Sequence, residues 1–322
     1  MWLLNKPALC LLALVSIPAF AQTYPARPIR VLIPFTAGSA ADIIARAMEP
    51  SMREKLGQPL VIDNRGGAGG NIAAEMTAKS TPDGYTIMMA TIGTHAINHS
   101  LYSKLSFHPI RNFTPVALVG ESPNALVIHP RVPANSIQDL IALAKSKPGG
   151  LNYGSSGAGT TVHLSAELFS VMTGIKMLHV PFKGAAEALG ALLGGQTDLM
   201  FASLSSSIPL IKAGKLKAFA VTGAQRSPSI PELPTVAEAA GLPGYAAAAW
   251  FGIVGPAGMP RPAVAVLNRT TLAALGDADV KKRLFASGVE IRTSTPEEFA
   301  RLIESEMQKW AKVVKAAGVK AD

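Results

Sequence analysis

The sequence predicts an α/β fold, and three observations carry that expectation. Short apolar runs of β character alternate along the chain with amphipathic helical patterns, the order expected of strands covered by helices. The chain has 322 residues, enough for about two domains at roughly 150 residues each. It is 48% hydrophobic and 16% charged, against about 25% charged in an ordinary globular protein, which favours sizeable cores and argues against disorder.

Residues 1–21 read as a secretory signal peptide rather than part of the fold. Lys6 supplies the positive start, residues 8–15 the apolar core, and Ala19-Phe20-Ala21 a small-residue cleavage site. The run is short for a membrane span and Pro18 interrupts it; Pro7-Ala8-Leu9 before Cys10 makes a poor lipid-attachment signal. Cleavage after Ala21 removes the one cysteine, so neither a disulfide framework nor a thiolate metal site is expected. No later stretch is long and apolar enough for a membrane helix.

Strands are expected at 29–35, 60–63, 86–91, 116–119, 125–128, 151–153, 177–180, 199–202, 216–221 and 250–254. The first is followed by a helix over about 40–56. Ser136-Ile137-Gln138-Asp139 is a variant capping box opening a further helix. Thr295-Pro296-Glu297-Glu298 combines an N-cap, a proline at the first helical position and an acidic third residue. The helix it opens carries Phe299, Leu302, Ile303, Met307, Trp310, Val313 and Val314 at helical spacing, so one face should meet a core.

Three loops follow a strand and open a helix while being rich in Gly, Ser or Thr: 34–42 (PFTAGSAAD), 91–95 (TIGTH) and 154–161 (GSSGAGTT). The first N–H groups of a helix lack intrahelical acceptors and lie at the positive end of its dipole, so such loops suit an anion. Open α/β sheets hold ligands beyond the carboxyl ends of their strands, where these loops lie. Ser39-x-x-Asp42 also has capping-box spacing, so these two residues either cap the helix or contact a ligand. The run Gly66-Gly67-Ala68-Gly69-Gly70 lacks the spacing of G-x-G-x-x-G and the lysine of a P-loop, and reads as a tight turn.

Other chemistries find little support. Gly154-Ser155-Ser156-Gly157-Ala158 fails G-x-S-x-G at its last position. His95 and His99 have i, i+4 spacing but no acidic residue in the H-E-x-x-H sense, so no metal is expected. His163 and Glu167 share a helix face as a polar pair. The net charge of +9 is scattered, with Lys281-Lys282-Arg283 the longest basic run, and five Tyr and three Trp offer little for base stacking. Nucleic acid is not expected; a bias toward small anions is the milder reading of the charge.

At the loops the chain resembles a known family. The segments PFTAGSAADIIAR (34–46), NRGGAGGNIAAE (64–75), DGYTIMMATIGTHAIN (83–98), LNYGSSGAGTTVHLSAELF (151–169), HVPFKGAAEALGALLGGQTDLMF (179–201), LPTVAEAAGLPGY (233–245) and WFGIVGPAGMP (250–260), in that order and spacing, are similar to the substrate-binding proteins of the tripartite tricarboxylate transporter family, the Bug-type periplasmic receptors. The resemblance implies a two-lobed periplasmic-binding-protein fold (type II, Venus flytrap) with the ligand between lobes. Residues 22–123 and 249–322 would form lobe one and 124–248 lobe two, with crossings near 121–124 and 247–249. Carried onto matching positions, the ligand-binding residues implied are Phe35, Gly38, Ser39, Asp42, Thr91, Thr94, Ser155, Gly159 and Thr160. Two departures stand out: Ser39 replaces a glycine common in relatives, and Phe201 is followed by Ala202-Ser203 where many relatives place an acid.

The function implied is a monomeric, cofactor-free periplasmic receptor that captures a small carboxylate and delivers it to membrane permease subunits, without catalysis. The absent acid after Phe201 leans the expected ligand toward carboxylates without an amino group. Two rivals remain open at the level of sequence: a secreted serine esterase-like enzyme using Ser155 or Ser156 with His163, and a sensory receptor built on the same clamp.

Overall fold

A computed structural model describes residues 24–320; the signal-peptide segment lies outside them. The chain first lays down β1 (Ile29–Ile33), α1 (Ala40–Leu56), β2 (Leu60–Asn64), α2 (Asn71–Ala78), β3 (Thr86–Thr91), α3 (Asn98–Leu101) and β4 (Phe113–Ser122). It continues through β5 (Asn124–Ile128), α4 (Ile137–Ser146), β6 (Asn152–Ser155), α5 (Thr161–Thr173), β7 (Leu178–Pro181), α6 (Ala185–Leu193), β8 (Leu199–Ser203), α7 (Leu204–Lys212), β9 (Lys217–Val221) and α8 (Val236–Ala240). It ends with β10 (Ala249–Pro256), α9 (Arg261–Gly276), α10 (Ala278–Ala286), β11 (Glu290–Ile291) and α11 (Pro296–Ala317).

These strands form two sheets. The first has six strands in the order β11-β4-β10-β3-β1-β2, the second five in the order β7-β6-β8-β5-β9. β1 is parallel to β2 and β3, and β6 is parallel to β7 and β8. β10 runs antiparallel between β3 and β4, pairing Phe251 with Thr91 and with Gly120. The chain passes from the first sheet to the second between Ser122 and Asn124, and returns between Val221 and Ala249.

Local chemistry sets the element ends. Ser39 caps α1, and Gly57 ends it at φ 66° with its N–H on Arg53 O, the left-handed stop that glycine favours. Thr295 and Glu298 form a reciprocal capping box on α11, with Pro296 at its start. The buried face of α11 is Phe299, Ile303, Trp310, Val313 and Val314, each contributing roughly 1.5–3 kcal/mol on burial. That face packs on β4 and on the turn after β3, and the same helix also reaches α5 of the second sheet.

The strand expected at 116–119 is longer, because Pro115 is tolerated where the β4–β10 register shifts between Ile253 and Val254. The two-residue β11, too short to show alternation, was not expected. The segment expected at 91–95 to open an α-helix instead makes a π-helical turn over Gly93–Ile97 before α3. The glycine run forms a short 3-10 turn, Ala68–Gly70, leading into α2.

Candidate functional site

Between the two sheets lies a cavity of about 470 Å³. Its walls come from the carboxyl ends of parallel strands: Phe35 after β1, Thr91 to Gly93 after β3, Ala158 to Thr160 after β6, and Ser203 closing β8. Ile97, Asn98, Leu101 and Tyr102 add a wall along α3. Ser122 and Asn124 come from the first crossing, and Ala249, Trp250 and Phe251 from the start of β10.

Two helices present their first turns to this space, α1 through Ala40 and Ala41 and α5 through Thr161 and Val162. In α1 the Asp42 N–H is taken by Ser39 Oγ at 3.4 Å and the Ile43 N–H by Ser39 O at 2.9 Å. In α5 the His163 N–H is taken by Thr160 Oγ1 at 3.3 Å and the Leu164 N–H by Thr160 O at 2.9 Å. The two N–H groups ahead of each pair have no intrahelical acceptor. The cavity therefore receives two such pairs from two different sheets. None of its lining residues is Asp, Glu, Lys, Arg or His, so attraction for an anion comes from backbone dipoles, hydroxyls and amides.

Of the residues singled out in the sequence, Phe35, Thr91, Gly159 and Thr160 line the cavity, whereas Gly38, Ser39, Asp42, Thr94 and Ser155 do not. Asp42 is buried; it accepts from Gly38 N at 2.9 Å and from Arg46 Nε at 2.9 and 3.0 Å. Burial pushes its carboxyl up, but the bonds from Arg46, Gly38 and Asn64 outweigh that and hold it below the usual range. Its reciprocal cap falls one residue upstream of the usual box, because the Ser39 N–H goes to Thr36 O. Thr94 is buried and bridges its hydroxyl to Thr91 N at 3.1 Å, bracing the turn.

Ser155 has no exposure, and its Oγ lies 2.6 Å from His179 Nε2. His163 instead accepts the Gly159 N–H on Nδ1 at 3.0 Å. The Ser155–His163 pair of the esterase alternative is thus not formed, and Ser155 is buried away from the cavity; Ser156, the other serine of that alternative, is half-buried and does not line the cavity. His163 stacks on His179 with ring centroids 3.9 Å apart, and His179 stacks on Tyr153 at 4.9 Å. Tyr153 donates to Glu167, whose Oε1 is 3.8 Å from His163 Nε2. Burial, aided by the neighbouring His179, brings the His163 ring down to about 4.

His95 is fully buried edge-on to Phe113, and burial lowers its ring to about 3. His99 is exposed and faces His108, so the two histidines one turn apart share no site. Among the described residues no cluster of three or more His, Cys, Asp or Glu could hold a metal.

Residues that sequence reasoning missed include Leu101, Tyr102, Asn124 and Trp250. Trp250 and Asn124 sit beside the expected crossings, which was the available signal; Leu101 and Tyr102 carried none.

A model described as tripartite tricarboxylate transporter family receptor matches residues 44–319. The chain belongs to this family. BugT of Bordetella pertussis is 35% identical over 307 residues, covering 95% of this chain and 94% of BugT. The structure of R. palustris Rpa4515 with adipate is 41% identical, covers 92% of this chain and 99% of that one, and superposes with a TM-score of 0.75. MatC from Rhodopseudomonas palustris with bound malate is 35% identical, with 90% and 100% coverage and a TM-score of 0.72. The tripartite tricarboxylate transporter receptors are two-lobed periplasmic binding proteins, and the two sheets described above are the cores of the two lobes.

Proposed function

We propose that this receptor captures a small carboxylate in the periplasm and delivers it to the membrane permease of a tripartite tricarboxylate-type transporter. The observation that carries the reading is the convergence of two helix N-termini, one from each sheet, on a single cavity without charged side chains. Adipate in one relative and malate in another are both dicarboxylates, and two amide-lined loops suit a ligand with an anionic group at each end. Each helix-terminus contact adds roughly 0.3–1 kcal/mol when exposed and up to about 2 when partly buried. Only a closed arrangement lets both lobes touch one ligand, so binding and closure are coupled. Lobe one comprises residues 22–123 and 249–322, lobe two residues 124–248. No bond is made or broken, and the receptor works as a monomer exported by a signal peptide cleaved after Ala21.

The direct ligand contacts in this reading are Phe35, Thr91, Gly159 and Thr160, with Gly38, Ser39, Asp42, Thr94 and Ser155 holding the loops in place. Thermal-shift screening against mono-, di- and tricarboxylates, adipate and malate first, tests it. A ligand at 100 times its Kd adds roughly 2.7 kcal/mol of stability; no shift with any carboxylate at millimolar concentration refutes it. Turnover of simple esters would revive the enzyme alternative.

A further inference from the structure

From the geometry beneath the third loop we infer that His163 is a positioning residue for the ligand site, working as a neutral hydrogen-bond acceptor within the stacked pair it forms with His179. The inference rests on the carboxylate-receptor reading for its functional consequence, but its structural half stands without it. The loop between β6 and α5 supplies the cavity with Ala158, Gly159 and Thr160. Two imidazoles grip its two ends. His179 meets Ser155 Oγ at 2.6 Å where β6 stops, and Ser155 Oγ in turn accepts the Gly157 N–H at 3.2 Å. His163 Nδ1 takes the Gly159 N–H at 3.0 Å where the loop turns into α5.

An imidazole nitrogen that accepts a backbone N–H carries no proton, so this contact fixes the His163 tautomer with hydrogen on Nε2. Nε2 faces Glu167 of its own helix at 3.8 Å. Across the stack stand His179 of β7 and Tyr153 of β6. Protonating Nδ1 would remove the acceptor, turn two N–H groups toward each other and place a cation 3.9 Å from the neighbouring ring centroid. The loop would then lose the bond that orients Gly159 and the first turn of α5 toward the cavity.

Two substitutions separate the acceptor from the ring. His163→Asn places an amide oxygen where Nδ1 lies and cannot titrate, while His163→Leu keeps bulk without an acceptor. In the full mature protein without ligand, the Gly159 amide proton should be protected from exchange in wild type and His163→Asn and at least tenfold less protected in His163→Leu. With adipate as probe, His163→Leu should bind several-fold more weakly than His163→Asn. Between pH 7 and pH 4 wild-type affinity should fall about twofold more than that of His163→Asn, the share removed when half the rings are protonated. Equal Gly159 protection in the two variants overturns the proposal, as does a wild-type pH profile matching that of His163→Asn. If wild type does not bind adipate, the carboxylate reading fails for this probe and the exchange measurement alone decides the role of His163.

Discussion

Leu101 lies against the backbone of Gly159: a β-carbon placed on Gly159 would come within 2.7 Å of Leu101 Cδ2. The two residues belong to opposite walls of the cavity, one ending α3 and the other on the loop before α5. Gly159 also has φ 75°, a conformation that side chains disfavour.

Gly159→Ala should therefore weaken adipate binding by roughly tenfold, the equivalent of about 1.4 kcal/mol. Leu101→Ala in the same background should recover part of the loss by relieving the contact, though not the backbone strain. Gly159→Leu should be worse than Gly159→Ala. Calorimetric titration checks all three; a folded Gly159→Leu protein with unchanged affinity would place the ligand elsewhere.

The cavity should discriminate against an amino group. It holds no carboxylate side chain, and Asp42, which does not line it, is buried and engaged by Arg46 and Gly38. An ammonium drawn into a partly dry space without a counter-charge loses hydration that nothing replaces. Succinate should bind more tightly than aspartate, by at least tenfold. Equal or tighter binding of aspartate would show that backbone carbonyls or hydroxyls suffice to hold the cation.

Asp42→Asn should destabilise the protein by about 1–2 kcal/mol, since it weakens a charge-assisted bond to Arg46 and the bond to Gly38 N. The Asp42 carboxyl titrates lower in the folded protein than in the unfolded chain. Its contribution is complete above the unfolded value near pH 3.9 and fades as pH falls below that. Urea unfolding at pH 7 and at pH 3 should show the gap between wild type and Asp42→Asn narrowing at the lower pH.

His163 makes the opposite kind of demand. Its ring titrates near 6.5 when unfolded and about 4 when folded. Above that window both states hold a neutral ring. As pH drops through it the unfolded chain takes the proton first, so stability falls until the folded ring also protonates. Between pH 7 and pH 5 this removes on the order of 1–2 kcal/mol, and the slope should be absent at this position in His163→Asn. A stability curve equally steep in that variant would assign the acid sensitivity to other groups.

How much was legible follows from what each element needs. The bounds of α1 could be read because Ser39, the apolar spacing and Gly57 all lie within the helix or beside it. Two of the three loops open α-helices as read, because a helix N-terminus is a local feature; the 91–95 loop leads into a π-helical turn instead. Ser39 and Asp42 left two readings open, and the hydrogen bonds account for both as caps. The partnering of Ser155 with His179 rather than His163 was not legible, since it depends on β6 and β7 being neighbours. Leu101 and Tyr102 reach the cavity from the end of α3, beyond the π-helical turn that follows β3, and no composition signal marks that turn.

The antiparallel placement of β10 has a consequence for the order in which the molecule can be completed. The middle strand of the first sheet is made long after its neighbours: Phe251 pairs with Thr91, so β1, β2 and β3 stay cut off from β4 until the chain past residue 256 has emerged. The second sheet is drawn from one uninterrupted stretch and needs no such wait. Contacts this distant in sequence form slowly, so a growing chain holds one finished half beside one that cannot yet close.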